Sequence, residues 1–312
     1  MKSLRIVVQM DPIEKMIVNH DTSLALMVEA QARGHEIWWW TPDDLFYELG
    51  IIKANARRVS VSLAEDAHYQ TQEQATRAVD DFDVVLVRQD PPFDMAYITN
   101  TYLLEITKAL VINPPRGIRN ISEKTSILQF PELTPNTWVG RDLDALEAFA
   151  RRYEQVVLKI LFMMGGEGVI KLAASDPDFR SKAAAFLAAT GREPILVQEF
   201  LPAVSGGDKR VFVLNGEPFA ALRRMPKAGD FRANLAVGGQ AVAGELDADD
   251  RAIAAAVAPL LRSEGIVFAG LDVIAGKLIE INVTSPTLAQ ELKRLSGLDL
   301  PKAFWDRVET LF

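Results

Sequence analysis

Hydrophobic blocks of strand or helix length alternate along the chain with polar, proline- and glycine-punctuated stretches. Leu4–Met10 (LRIVVQM) is a β-branched run and predicts a buried strand. Asp21 or Thr22 can cap a helix carrying Leu24, Met27 and Val28 on one face and ending near Gly34. Glu36–Trp40 (EIWWW) and Asp83–Val87 (DVVLV) predict two further strands, and Ala96–Lys108 a helix leading into a strand at Leu110–Asn113. Strand–helix–strand order with short links predicts parallel pairing in an α/β sheet. Lys53–Val61 is more polar and predicts an edge strand or an excursion. Trp38, Trp39 and Trp40 alternate faces and are read as packing.

Pro114, Pro115, Gly117, Pro131 and Pro135 interrupt this pattern and predict a domain boundary near residue 120. Beyond it, strands are predicted at Thr137–Val139, Val156–Ile160, Val169–Leu172 and Ile195–Phe200, with helices at Leu143–Tyr153 and 178–189. Val211–Leu214 and Pro218–Leu222, joined by Asn215-Gly216, form a two-residue hairpin signal. Asp247 opens an alanine-rich helix to about Glu264, and Val267–Ile274 and Lys277–Val283 form a second hairpin through Ala275-Gly276. A terminal helix is expected from Pro301 to Leu311, with proline at a tolerated first-turn position. Three units are therefore expected: 1–121, an α/β domain; 122–200, a smaller unit bearing the glycine loop; and 201–312. There is no internal repeat.

Composition narrows the chemistry. The 312 residues carry 34 basic and 42 acidic side chains, a formal net charge of −8. Such a balance, without a basic run, argues against nucleic-acid binding. No apolar run approaches the roughly 18 residues that cross a bilayer, and Arg5 and Asp11 fall too early in MKSLRIVVQMDP for a signal-peptide core. No membrane partner and a cytoplasmic location are expected. The chain has no cysteine, which excludes disulfides, thiolate–zinc sites and a cysteine nucleophile. Three scattered histidines make a His-cluster metal site a poor fit. A hard cation held by carboxylates remains open.

Asp272, Glu280 and Asn282 carry the strongest chemical signal. On the second hairpin Glu280 and Asn282 are two apart and share a face, and Asp272 on the partner strand can face the same way. Two carboxylates and an amide oxygen among apolar neighbours suit Mg²⁺; the same spacing also fits a solvated hairpin face. Lys159, at a strand end before Gly165-Gly166, can hold phosphate oxygens beside loop N–H groups, or be merely solvated. Lys124 sits at a helix start, where its alternative is a surface residue. Arg210, Arg223, Arg224, Arg232 and Asn234 converge on one hairpin mouth, and guanidinium suits carboxylate and phosphate. Arg88 and Asp90 follow the strand DVVLV, where parallel sheets bind ligands; a proline-stiffened turn is the other reading.

Together, RQDPPFD (88–94), INPPRGIRNISEK (112–124), QEFLP (198–202), GDKRVFVLNGEP (207–218) and GLDVI…EINVTSPT (270–287) resemble the prokaryotic glutathione synthetases of the ATP-grasp superfamily, through nearly the whole chain. The resemblance implies an ATP-grasp fold preceded by a Rossmann-like parallel-sheet domain. It implies an ATP-dependent carboxylate–amine ligase joining γ-glutamylcysteine and glycine through an acyl phosphate, with ATP and Mg²⁺ (or Mn²⁺) as cofactors. Asp272, Glu280 and Asn282 would hold metal; Lys124, Lys159, Gly165, Gly166, Gln198, Glu199, Leu201 and Asp208 nucleotide. Arg210, Arg224 and Asn234 would be the catalytic set; Arg88, Asp90, Ser285 and Thr287 would hold the dipeptide. A homo-oligomer, dimer or tetramer, is implied too.

The chain departs from the family pattern at Ile160, Phe162 and Met163, where the lid is bulkier and expected to flex less. Gln240 and Gln290 stand where the family usually has arginine, which predicts weaker carboxylate recognition. Two alternatives follow: a related ligase with another acid or amine, or a nucleotide-binding relative impaired in catalysis.

Overall fold

The computed structural model describes residues 3–312. Met1 and Lys2, part of the amino-terminal segment assessed for a signal-peptide core and of the expected unit 1–121, lie outside the described residues. Three sheets organise the chain. In the first, Arg5–Gln9 is central, parallel to Glu36–Trp40 on one side and Val84–Val87 on the other, and Leu110–Ile112 continues the parallel set. Ile6–Gln9 and all of Val84–Val87 are buried, as expected of parallel strands covered on both faces. Asp21 caps the helix Thr22–Ala32 by accepting from the Leu24 N–H at 2.7 Å, and Asp94 caps Met95–Glu105 through Tyr97. All three tryptophans of EIWWW are buried in the core.

The polar segment is neither an edge strand nor an excursion. Ile51–Val61 is a long strand antiparallel to Leu45–Glu48, Tyr69–Ala78 and the end of Glu36–Trp40. It buries Ile52, Ala54 and Ala56 on one face. Tyr69–Ala78 buries no residue fully, so it lacked the period-2 apolar signal that marks a half-buried strand.

The second sheet is antiparallel, in the order Val169–Ala173, Gln155–Ile160, Ile195–Glu199, Thr137–Gly140. The helices Leu143–Ala150 and Phe179–Ala189 share its core. The third sheet, also antiparallel, runs Gln240–Gly244, Glu217–Met225, Asp208–Leu214, Phe268–Ile274, Lys277–Asn282. Both predicted two-residue turns are present with left-handed backbone: φ is 50° at Asn215 and 76° at Gly216, 48° at Ala275 and 73° at Gly276, the conformation that matches strand twist.

Two features tie the first and third sheets together. The buried Asn113 amide donates to the carbonyls of Phe268 and Val283, each at 2.7 Å, and accepts from the N–H groups of Val267 and Phe268. The last helix, Leu300–Val308, packs Phe304 and Trp305 into one core with Leu24 and Leu26, and the Trp305 indole donates to the Leu26 carbonyl at 2.8 Å. The helices Pro115–Asn120 and Ala289–Ser296 and the strand Gln240–Gly244 were not expected from the pattern. None of the described helices is long and apolar enough to cross a membrane.

Candidate active site

Register assembles the acidic hairpin. Asp272 lies across from Glu280 and Gly270 across from Asn282, and cross-strand partners share a face. On the next strand Arg210 pairs with Asp272, and Asp208 with Arg224. Four charged side chains thereby meet in a buried network. Arg210 donates to Asp272 through Nε at 2.6 Å, while Arg224 donates to Asp272 at 2.8 Å and to both Asp208 oxygens at 2.7 Å. A Cβ at Gly270 would sit 2.9 Å from the Arg210 Cδ, so glycine makes room for that guanidinium. Burial opposes ionisation of Asp272, but Arg210 and Arg224 outweigh it and hold its carboxyl down at about 2. The same two carboxylates push Arg224 up against the cost of its burial.

The lysines approach from the second sheet. Lys159 donates to the Gln198 side-chain oxygen at 2.7 Å, and Gln198 in turn donates to Thr137 at 3.1 Å. Burial brings the Lys159 ammonium down to about 8, partly offset by Glu280. Lys124 is buried, 3.1 Å from Glu280, and donates to the carbonyls of Leu161 and Met163 at the base of the glycine loop. It is no surface residue. At the loop itself Gly165 and Gly166 hold φ of 65° and 84°. A Cβ on Gly166 would come within 3.0 Å of the Asn234 side-chain oxygen, so this approach favours glycine.

Two adjoining clefts result. One, of about 850 Å³ including its mouth, is lined by Lys124, Lys159, Gly165, Gly166 and Gln198, and further out by Glu199, Leu201 and Asp208. All eight residues expected to hold nucleotide are therefore brought together. The other, about 1580 Å³, is lined by Arg210, Asn282, Asp90, Ser285 and Thr287. Met164, Gly165, Arg224, Asn234 and Glu280 border both clefts. Ser285 donates to Asp90 at 2.6 Å; burial pushes the Asp90 carboxyl up, against that bond and Arg88.

Arg88 stands apart from the other substrate candidates. It is buried behind the wall, donating to the Ser23 hydroxyl at 3.0 Å and the Pro286 carbonyl at 2.9 Å, and lines neither large cleft. Gln240 and Gln290 line neither either; the Gln290 amide is turned inward to the carbonyls of Val18 and Asp21.

Several lining residues escaped the sequence pattern. Phe200 and Phe231 meet edge-on at 6.0 Å in the first of these clefts, with the Lys171 ammonium 4.2 Å from the Phe200 ring. Phe200 adjoins Glu199 and was readable by proximity; Phe231 arrives on a loop no periodicity marks. Glu123 is half-buried and accepts from the Val283 and Thr284 N–H groups and the Thr284 hydroxyl. Burial, then Glu280, push its carboxyl up.

The hairpin donors suit a divalent cation. Asn282 gives its amide nitrogen to the Gly270 carbonyl at 3.2 Å, leaving the amide oxygen as a donor beside the Glu280 and Asp272 carboxylates, an all-oxygen set of the kind Mg²⁺ takes. Among the described residues no group of three or more His, Cys, Asp or Glu forms a metal site; here the third donor is an amide. Lys124, Arg210 and Arg224 neutralise the carboxylates in this structure.

A glycine loop beside two lysines and an Asp/Glu/Asn hairpin, on two antiparallel sheets that follow a largely parallel α/β domain, are the arrangement of an ATP-grasp enzyme. D-cycloserine synthetase DcsG superposes with a TM-score of 0.69 at 15% identity, covering 97% of this chain and 98% of that one. The ATP-grasp ligase PsnB, complexed with minimal precursor, gives 0.63 at 20% identity with full coverage of both chains. At such identities the likeness concerns the fold. The prokaryotic glutathione synthetase N-terminal domain matches residues 4–119 and its ATP-grasp domain residues 123–297. Glutathione synthetases of Bradyrhizobium diazoefficiens and Rhodopseudomonas palustris are 42% and 43% identical, over 98% of this chain and of each relative; that of Vibrio cholerae is 39% identical over 98% of this chain and 97% of its own. The chain belongs to the prokaryotic glutathione synthetase family.

Proposed function

We propose that the chain joins γ-glutamylcysteine to glycine at the expense of ATP. The observation that carries the reading is the shared border of the two clefts, Met164, Gly165, Arg224, Asn234 and Glu280. A nucleotide on one side and an acid on the other would meet there.

The free carboxylate at the cysteinyl end attacks the γ-phosphorus of ATP, giving an acyl phosphate and ADP. The glycine amine then attacks the acyl carbon; a C–N bond forms, the C–O bond to phosphate breaks, and the amine gives up a proton. Lys124 and Lys159 bind the nucleotide phosphates, with Gly165 and Gly166 closing over them. Gln198, Glu199 and Leu201 border the adenine, beside the ring of Phe200, and Asp208 lies toward the ribose. Arg210, Arg224 and Asn234 stabilise charge on the acyl phosphate, which places fixed positive groups where negative charge develops. Asp90, Ser285 and Thr287 orient the dipeptide, and Arg88 supports that wall through the Pro286 carbonyl. Asp272, Glu280 and Asn282 would hold Mg²⁺, which neutralises phosphate charge when bound. No side chain acts as a nucleophile. The homo-oligomer implied by the resemblance belongs to the same proposal, and sedimentation measures it.

Release of ADP, with γ-glutamylcysteine and glycine each omitted in turn, tests the reading. Turnover that needs both supports it. Turnover only with another acid or amine, or nucleotide binding without turnover, overturns it.

A further inference from the structure

Residues 161–163 form the base of the glycine loop, and their three successive carbonyls are divided between the two sites. Lys124 donates to the carbonyls of Leu161 (3.3 Å) and Met163, from the nucleotide side. The carbonyl between them, that of Phe162, accepts from the Phe93 N–H at 3.1 Å. Phe93 belongs to the segment that carries Arg88 and Asp90, and only Pro91 and Pro92 separate it from Asp90. Two prolines fix two of the intervening backbone torsions, so movement at Asp90 is passed to Phe93 with little slack. The rings add to the backbone contact. Phe93 and Phe162 lie 6.4 Å apart, Phe93 packs on Tyr97 at 4.9 Å, and both phenylalanines line a small cavity with Pro91, Ile118, Ile121 and Leu161.

We propose that Phe162 is a positioning residue that couples occupancy of the acid cleft to nucleotide affinity by tying the lid base to Phe93. The inference rests on the proposed reading, which puts the acid beside Asp90 and nucleotide phosphates beside Lys124. Its sign follows from the geometry. A phosphate that draws the Lys124 ammonium takes the donor away from the Leu161 and Met163 carbonyls. On the acid side the lid base is then held by the Phe162 carbonyl, through the Phe93 N–H, and by the tilted Phe93–Phe162 ring pair. An acid that fixes Asp90 fixes Phe93, and so favours the nucleotide-bound arrangement. The coupling is positive, and linkage makes it reciprocal: each ligand raises the other's affinity by one factor.

The test is equilibrium binding of a non-hydrolysable ATP analogue with Mg²⁺, with and without saturating γ-glutamylcysteine, and then the reverse titration. In the wild-type chain the acid tightens analogue binding about fivefold or more, the lower range of typical couplings, and the analogue tightens acid binding by the same factor. In Phe162→Ala, which removes the ring contact and keeps the backbone hydrogen bond to Phe93, the factor falls below about twofold. Phe162→Tyr retains the ring and restores the coupling, which a general loss of fold in the alanine variant would not explain. Thermal melting of both variants confirms that each is folded. Equal affinities with and without acid in the wild type, or undiminished coupling in Phe162→Ala, overturn the inference while leaving the proposed reaction intact. Failure of γ-glutamylcysteine to bind at all overturns the acid assignment, and this coupling with it.

Discussion

Lys159 offers the sharpest quantitative handle on the cleft proposed to hold the nucleotide. Burial lowers its ammonium to about 8, with Glu280 opposing and Lys124 adding to the depression. A bound phosphate favours the charged form, so nucleotide binding should require the proton to be present. At about pH 8 half of the free protein holds it, and binding then takes up about half a proton. At about pH 9 only about one-tenth is protonated, so the apparent dissociation constant rises about tenfold, equivalent to about 1.4 kcal/mol. Affinity is therefore full below the depressed value and lost as pH rises through it. Folding responds with the opposite sign. Between about 8 and the ordinary lysine range the unfolded chain keeps a proton that the folded chain has shed, so this group's contribution to stability rises with pH. Loss of nucleotide binding in that window cannot be unfolding driven by Lys159. The assay is titration of a non-hydrolysable ATP analogue at saturating Mg²⁺ from about pH 7 to 9.5, repeated in buffers of different ionisation enthalpy to count protons. Lys159→Arg stays charged throughout and should flatten the profile. A flat wild-type profile, or identical slopes in wild type and Lys159→Arg, refutes the reasoning.

Other perturbations test the remaining walls. Glu280→Gln removes one carboxylate from the proposed Mg²⁺ set and should cut turnover by orders of magnitude with the fold kept; unchanged turnover at saturating Mg²⁺, with a wild-type melting curve, removes Glu280 from that role. Arg224→Ala leaves Asp208 and Asp272 short of their shared partner and should cost about 3–5 kcal/mol of stability, as broken buried pairs do; denaturant titration measures it, and a loss under about 1 kcal/mol contradicts the network. Asn113→Ala removes four hydrogen bonds, three of them buried, between the first and third sheets, so a loss of about 3 kcal/mol or more is expected by the same titration. Met163→Gly should speed turnover where lid closure limits the rate; slower or equal turnover argues against a hindered lid.

What the sequence disclosed follows from where each signal resides. The parallel strands were legible because burial on both faces leaves unbroken apolar runs such as Val84–Val87. Asn215-Gly216 announced its turn because few other residue pairs accept left-handed backbone at both positions. The acidic hairpin was legible because period-2 spacing alone puts Glu280 and Asn282 on one face. Tyr69–Ala78 and Gln240–Gly244 were not, since neither buries a residue fully and strand pairing in them is carried by backbone groups that leave no mark in side-chain pattern. Sequence also missed what cross-strand register decides. Nothing in the order of residues says that Arg210 lies opposite Asp272 and Arg224 opposite Asp208. Arg88 is the converse case: its position after a parallel strand suggested a ligand contact, yet the strand end turns it inward to Ser23 and Pro286.

That register also resolves how an acidic chain of net charge −8 can be built for anionic ligands. Buried lysine and arginine are costly unless paired, and Arg210, Arg224 and Lys124 are each paired with a carboxylate that the proposed reading gives a second use. Arg210 and Arg224 hold Asp272, and Lys124 holds Glu280. These carboxylates keep the cations charged and in place before ligands arrive. In the proposed reading phosphate and acyl oxygens would take over the guanidinium and ammonium groups, and the carboxylates would then be free for a divalent cation. The chain's overall sign is therefore a poor guide to the cleft, where cations and carboxylates are gathered in internal ion pairs that the proposed reading exchanges for ligand ones. Arg224→Lys tests the exchange. It keeps the charge but cannot make the bidentate pair with Asp208 while reaching Asp272, so stability should fall and the apparent KM for ATP rise together. A rise in KM with stability unchanged would mean that Arg224 serves the ligand alone, and the pre-paired cleft would be the wrong description.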